Sequence, residues 1–110
     1  MAMIMRTILC EALADDIGSV QLREVPLPEP GPGQVRVRLK ACAVNFPDLL
    51  MIQGKYQFKP PLPFAPGGEA AGDIDACGAG VSWHEGDAVI VGMRYGGFAD
   101  YVVVDAAQVK

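Results

Sequence analysis

The sequence has little of what a metal site, a disulfide framework or a membrane span requires. Its 110 residues include three cysteines, without CxxC spacing, and a single histidine, His84, in a turn-like segment. Three widely spaced cysteines favour reduced, packed thiols, and the set is too small to predict a zinc site. We expect His84 to face solvent. No apolar run reaches the roughly 20 residues that a membrane-spanning helix needs.

Excess positive charge is missing as well. Nine Lys and Arg oppose thirteen Asp and Glu, for a net charge of −4, and residues 67–110 hold seven acids but only two bases. Such a chain lacks the electrostatic attraction on which nucleic-acid binding depends, so no nucleic-acid partner is expected. The N-terminus has no basic region followed by a small-residue cleavage site. The cytoplasm is therefore the predicted location, with no membrane partner.

The sequence is rich in apolar and turn-forming residues. Hydrophobic residues make up 51% of the chain, beside thirteen glycines and nine prolines, which predicts one folded, loop-rich domain over residues 1–110. The predicted fold is mainly β, a barrel or folded sheet with one short helix. Apolar or alternating segments predict strands at residues 3–9, 19–25, 34–43, 69–77, 87–91 and 97–104.

The strongest alternation runs through residues 34–43. Val35 is typical of the apolar positions, which are expected to face the core. The cations between them, Arg36, Arg38 and Lys40, are expected to form a solvated stripe. This pattern is typical of an antiparallel strand with one packed face and one wet face.

Proline and glycine mark the segments between the strands. Alternate prolines in residues 25–33 predict an extended connector. In the segment that follows the third strand, Asn45 is suited to cap a helix, Pro47 to lie in its first turn and Gly54 to end it. This segment predicts one short helix. A second breaker cluster, residues 59–68, is predicted to cross the surface as a loop.

Polar groups cluster near the predicted helix and its exit. Asn45, Asp48, Lys55 and Tyr56 could line one edge of a pocket, although composition does not name its ligand. The glycine-rich stretches lead into strands rather than helices. None of them therefore predicts a phosphate site of the Rossmann type.

Four phrases, taken in order, resemble a known family: LREVPLPEPGPGQVRVRLKACAVNFPDLLMIQGKY, PPLPFAPGGEAAGDIDACGAGV, EGDAVIV and GGFADYVVV. They are similar to the N-terminal, catalytic domain of medium-chain dehydrogenases/reductases, most of all the NADPH-dependent quinone oxidoreductases, over about Met5 to Lys110. The resemblance implies a GroES-like fold, which is a partly open β-barrel with one or two short helices. In such relatives a Rossmann domain follows. Because residues 1–110 lack it, the chain is expected to be truncated and inactive alone.

Two departures from the family concern zinc. Zinc-dependent members of the superfamily have a cysteine ligand where this sequence has Asn45, and a histidine ligand where it has Gly68. The lobe that holds a structural zinc is also missing after the segment GDAVIV. The resemblance is therefore to the zinc-free branch, and no metal-binding residue is predicted. Gly67, Gly68 and Gly72 are expected at close backbone approaches.

The resemblance also implies roles for particular residues. Asn45 is the first candidate catalytic and cofactor-binding residue, since its amide can hydrogen-bond the nicotinamide ribose or the substrate. Tyr56 is the second catalytic candidate, as a phenolic donor and an aromatic wall. Asp48 and Lys55 are weaker, cofactor-binding candidates. The structural alternative is that Asn45 only caps the helix and Tyr56 only covers it. Glu69 is expected to form a structural ion pair or a hydrogen bond to loop amides.

The function that the resemblance implies is that of the N-terminal catalytic domain of a zinc-independent NADPH:quinone oxidoreductase. Such an enzyme transfers hydride from NADPH to a quinone or another conjugated carbonyl. A zinc-free enoyl or alkenal reductase is an alternative within the superfamily. A free-standing GroES-like binding or assembly module without catalytic activity is the alternative outside it. The choice of NADPH or NADH, the exact substrate and the oligomeric state stay open, with a homodimer as one option for a full-length protein.

Overall fold

The computed structural model describes residues 3–110, which form six strands, one α-helix and a final 3-10 turn. No helix among these residues is long and apolar enough to cross a membrane. The elements in chain order are β1 (Ile4–Cys10), β2 (Val20–Pro26), β3 (Gln34–Cys42), α1 (Phe46–Gln53), β4 (Glu69–Cys77), β5 (Ala88–Gly92), β6 (Tyr101–Asp105) and the 3-10 turn Ala106–Gln108.

The strands form two antiparallel sheets that stay open. Strands β1 and β2 make a two-stranded ribbon, and the larger sheet has the order β5-β4-β3-β6. Single bridges join the parts: Thr7 pairs with Ala99, and Val91 pairs with Val109 beyond β6. The second bridge brings the end of the chain beside β5, so the sheet curls without closing. The mainly β fold predicted from the sequence is confirmed.

The main core lies on one face of the larger sheet. Val35 and Val37 of β3 are fully buried and pack against Ile74 of β4 and Val104 of β6. Each buried aliphatic side chain of this kind contributes about 1.5–3 kcal/mol relative to exposure. The alternation in β3 therefore predicted the core face correctly. A second cluster, built from Cys10, Met51, Ile52 and Phe64, holds α1 against β1.

The predicted cationic stripe on β3 is wrong at Arg36. The side chain of Arg36 is only 12% exposed, and its Nε donates to Oδ2 of Asp75 at 2.7 Å. Lys40 is more exposed, yet its Nζ lies 2.8 Å from Oδ2 of Asp73. Strand β4 lies beside β3 and presents these acids to the cations. The sequence of β3 alone does not show which charged residues the neighbouring strand places beside it, so these ion pairs could not be predicted.

The second breaker cluster is also not the surface loop that was predicted. Its first half is mostly exposed, but residues 64–67 are buried. A buried loop needs partners for its backbone groups, and here they are provided. Phe64 exchanges two backbone hydrogen bonds with Cys10, at 2.7 and 3.2 Å. The carbonyls of residues 65–67 accept hydrogen bonds from the amides of residues 96–98, at 2.7 to 3.0 Å. Ala99 and Asp100 in turn contact Thr7 and Arg6 of β1, so β6 begins at Tyr101 rather than at residue 97.

The cysteines and the histidine lie where the sequence analysis places them. Cys10, Cys42 and Cys77 are free thiols, and Cys10 is fully buried in the second cluster. His84 is exposed in its turn, with Nδ1 3.9 Å from the carboxylate of Asp87. None of these side chains forms a cluster with catalytic geometry.

Asp100 joins β1 to the segment before β6 and gives the fold a pH dependence. Its Oδ2 accepts from the backbone N–H of Arg6 at 2.8 Å, and the Arg6 guanidinium lies 3.3 Å away. The hydrogen bond from the Arg6 N–H, helped by the guanidinium, holds the pKa of Asp100 below its ordinary value. A carboxylate with a lowered pKa stabilises the fold fully above the ordinary Asp pKa, and this contribution is lost as the pH falls through the lowered value.

We therefore expect Asp100→Asn to lower the free energy of unfolding at pH 7 by about 0.5–1 kcal/mol, the size of an exposed ion pair. The difference from the wild type should begin to shrink below pH ~4, the ordinary pKa of Asp, and should shrink further as the pH falls through the lowered pKa of Asp100. Urea unfolding at pH 7 and pH 3 measures both quantities. Glu85→Gln, at an exposed turn carboxylate, is the control and should change little. A deficit of equal size at both pH values would contradict the role given to Asp100.

Candidate functional site

A cleft beside α1 is the candidate site. Its volume is about 400 Å³, which is within the range of small-molecule sites. A larger hollow of about 740 Å³ lies over β4 and β5, but its lining is mostly alanine and aliphatic side chains. The cleft beside α1 is lined by Asn45, Pro47, Asp48, Met51, Tyr56, Gln57, Phe58, Gly68, Glu69, Met93 and Arg94. It therefore combines apolar walls with several polar groups.

Three of the four site residues predicted from the sequence lie together in this cleft. Asn45, Asp48 and Tyr56 all line it. Lys55 does not, because its exposed side chain extends toward Asp15, with Nζ 4.0 Å from Oδ1. The cofactor-binding role of Lys55 stays a prediction that the geometry does not favour.

Asp48 is the best-defined of these residues. Its side chain is 4% exposed, and its two carboxylate oxygens accept from two backbone amides. Oδ2 accepts from the N–H of Asn45 at 2.8 Å, and Oδ1 from the N–H of Gly67 at 3.1 Å. A buried carboxylate requires such partners. Because both oxygens are engaged, the geometry favours Asp48 as a positioning residue that ties α1 to the buried loop.

Asn45 lies at the N-cap of α1. Its backbone is extended, with φ −118° and ψ 160°, Pro47 follows in the first turn, and Gly54 ends the helix at φ 71°. Asn45 therefore both occupies the N-cap of α1 and lines the cleft. The residues on either side, Val44 and Phe46, are 79% and 69% exposed. Asn45 therefore lies between two apolar side chains that face solvent.

Tyr56 follows the helix and forms one wall of the cleft. It is half-buried against the second core cluster, which fixes its ring. Its phenolic hydroxyl has no hydrogen bond to another residue in the described range 3–110. A fixed ring with a free hydroxyl can donate a hydrogen bond to a ligand oxygen.

The structure adds residues that the sequence analysis missed. Phe58 and Arg94 line the cleft together, with the guanidinium carbon of Arg94 4.5 Å from the centroid of the Phe58 ring. Phe58 stacks in turn on Tyr95 at 5.9 Å. The one feature of the sequence that pointed to Arg94 was its position as an arginine within the acidic residues 67–110. Glu69 also lines the cleft. Across residues 3–110 its carboxylate forms neither the ion pair nor the hydrogen bond to a loop amide that was expected for it.

Cys42 lies close enough to Asp48 and Glu69 of the cleft to feel their charges, and it is not suited to nucleophilic chemistry. Burial raises the pKa of its thiol, and the negative charges of Asp48 and Glu69 raise it further. The thiolate is the reactive form of cysteine. At neutral pH the side chain is therefore a packed thiol, as expected from the sequence.

The residues of the cleft do not fit zinc. Within residues 3–110, no three His, Cys, Asp or Glu side chains come together. A Cβ at Gly68 would lie 2.9 Å from the carbonyl oxygen of Met93, so a histidine ligand there would require the backbone to shift. The oxygens of Asp48 are already held by amides. The donors that remain suit hydrogen bonding rather than a tetrahedral metal site.

Fold and cleft together describe a GroES-like domain with a candidate cleft beside α1. The chain belongs to the alcohol dehydrogenase GroES-like domain family, whose profile matches residues 31–110. The resemblance to the N-terminal domain of medium-chain dehydrogenases/reductases is confirmed, as is the GroES-like fold.

Three known proteins illustrate the relationship. The chain is 48% identical over 90 residues to the rat synaptic vesicle membrane protein VAT-1 homolog, which covers 81% of this chain and 22% of that protein. It is 39% identical over 101 residues to the mouse quinone oxidoreductase-like protein 2, covering 91% of this chain and 28% of that protein. It matches the solved quinone oxidoreductase of Pseudomonas syringae pv. Tomato DC3000 with a TM-score of 0.88 and 28% identity, over 96% of this chain and 33% of that one. The chain thus spans a third or less of each of these relatives.

We expect Asp48→Ala to lower the free energy of unfolding by about 3 kcal/mol, because two amides lose their acceptor and one of them is buried. Asp48→Asn keeps one acceptor oxygen and should cost less, about 1–2 kcal/mol. Urea unfolding measures both variants. Asp73→Ala, which removes the acid paired with exposed Lys40, is the control and should cost under about 1 kcal/mol. A loss at Asp48 no larger than that of the control would show that the carboxylate is not an anchor.

Proposed function

We propose that this chain is the substrate-side domain of a zinc-independent, NADPH-dependent quinone oxidoreductase. The reaction is hydride transfer from NADPH to a quinone or another conjugated carbonyl. The observation that carries the proposal is the cleft beside α1. There Asn45 and Tyr56 line one cleft together with apolar side chains, and no group of three His, Cys, Asp or Glu side chains within residues 3–110 accompanies them.

The chemistry divides between the cofactor and the chain. NADPH supplies the hydride when bound. The chain must hold a flat ring and stabilise the negative charge that develops on its carbonyl oxygen. Tyr56 and Asn45 are the donors for that oxygen, and Asn45 can also contact the nicotinamide ribose. Pro47, Met51 and Met93 give the ring an apolar surface and reduce its contact with water.

The relatives support this assignment at a coarser level. One is named a quinone oxidoreductase-like protein, and a solved structure of similar fold is named a quinone oxidoreductase. Both are about three times as long as this chain or longer, so the pyrophosphate of the cofactor is assigned to a part of such proteins outside the matched domain. NADPH rather than NADH and a homodimeric full-length protein are parts of the proposal that come from the family resemblance. A cytoplasmic location is a further part, which comes from the sequence alone.

Quinone binding by the 110-residue chain tests the cleft directly. Duroquinone is a suitable probe because its fully substituted ring leaves no position for thiol addition. In an NMR titration of the 15N-labelled chain, we expect shifts centred on residues 45–58 and 93–94. Asn45→Ala and Tyr56→Phe should each weaken binding about three- to tenfold, as expected for one hydrogen bond. Tyr101→Phe, on β6 and outside the cleft, is the matched control. Shifts confined to the hollow over β4 and β5 would argue against this site.

Turnover requires the remainder of an enzyme. We expect a chimera, in which this chain replaces the matched domain of the Pseudomonas syringae quinone oxidoreductase, to oxidise NADPH with duroquinone as acceptor. Asn45→Ala and Tyr56→Phe should lower its kcat/KM by about ten- to a hundredfold, and EDTA should have no more effect than on the parent enzyme. The chain alone should show no turnover. A chimera that binds NADPH but does not reduce quinones would favour a binding module without catalytic activity.

A further inference from the structure

We propose that Arg94 makes the cleft select quinones or conjugated carbonyls that carry a negatively charged substituent, such as a carboxylate. The inference rests on the proposed function, because that function assigns the conjugated ring to this cleft. It adds a specificity-determining residue and a chemical subclass of substrate.

The charge of the cleft is the first argument. Arg94 is the one cation among the lining residues in the described chain, and it forms neither an ion pair nor a side-chain hydrogen bond there. The surrounding part of the sequence, residues 67–110, contains seven acids and only one other base, Lys110. An arginine that stays unpaired in acidic surroundings has its full hydrogen-bonding edge available to a ligand.

The support beneath Arg94 is the second argument. Its guanidinium carbon lies 4.5 Å from the centroid of the Phe58 ring, within the range of a cation–π contact. Phe58 stacks on Tyr95 at 5.9 Å, and Tyr95 meets the edge of buried Phe64 at 6.1 Å. The guanidinium thus rests on an aromatic stack that reaches the core. A ring beneath the guanidinium plane leaves its N–H groups free to bind a carboxylate with two parallel hydrogen bonds.

Neither acid of the cleft forms an ion pair with Arg94. Asp48 is engaged by two amides, and Glu69 forms no ion pair with Arg94 although both line the cleft. Glu69 still places a negative charge nearby, which opposes an anionic ligand. Its removal should therefore increase the affinity for anionic ligands and leave neutral ligands unaffected.

A matched pair of ligands tests the proposal. Anthraquinone-2-carboxylate and anthraquinone-2-carboxamide have the same shape and differ in charge, and neither ring system offers a site for thiol addition. In NMR titrations of the 110-residue chain, we expect the carboxylate to bind about tenfold more tightly than the carboxamide. Arg94→Gln should remove the preference for the carboxylate, with little change in the affinity for the carboxamide. Arg94→Lys should keep part of the preference, and Glu69→Gln should increase the preference. Lys59→Gln, at an exposed cation outside the cleft, is the control, and the 15N spectra report whether each variant is folded.

The outcomes separate this proposal from the function on which it rests. Equal affinity for the two ligands, or a preference that survives Arg94→Gln, overturns the role of Arg94 and leaves the quinone cleft intact. Failure of both ligands to shift the cleft residues overturns the two proposals together. Inorganic pyrophosphate is added as a competitor. If it displaces the carboxylate ligand from the wild type but not from Arg94→Gln, then Arg94 serves a phosphate group and the proposed substrate selection is wrong.

Discussion

The buried carboxylate of Asp48 is the constraint on which the candidate site depends. Its two oxygens accept from the amides of Asn45 and Gly67, so one side chain fixes both the start of α1 and the loop that returns to β4. A buried charge without such partners would cost several kcal/mol. The two hydrogen bonds therefore hold Asn45 at the wall of the cleft, and they position the backbone of Gly67 at the same time.

The loop can be buried only because glycine permits a very close approach. Gly67 has φ 106°, and a Cβ there would lie 2.8 Å from the ring of Phe98 and 2.9 Å from the sulfur of Cys42. Phrases such as PGG show that a turn is present, but they do not show what packs against it. The limits of α1 follow from Asn45 and Gly54 because capping is a local matter. Burial of residues 64–67 depends on partners in β1 and in residues 96–98, which only the tertiary fold brings together.

The same distinction explains which site residues the sequence predicts. Asn45 and Tyr56 lie within a phrase that resembles the family, and the structure brings both to one cleft. Lys55 precedes Tyr56 directly, yet the chain leaves the helix there and the two side chains diverge. Arg94 lies in a turn without periodicity, and its significance comes from Phe58, a residue far away in the sequence. A local pattern cannot reveal a contact of that kind.

The donors in the cleft are consistent with the kind of substrate proposed. Reduction of an isolated ketone places a full negative charge on one oxygen, for which a metal ion is an effective partner. Reduction of a quinone spreads the developing charge over a conjugated ring and two oxygens, so that a smaller stabilisation at each oxygen is enough. A phenol such as Tyr56 and an amide such as Asn45 provide stabilisation of that size. A histidine ligand at Gly68 would require the backbone near Met93 to shift, so the donors present in the cleft favour hydrogen bonding and the conjugated carbonyls that we propose as substrates.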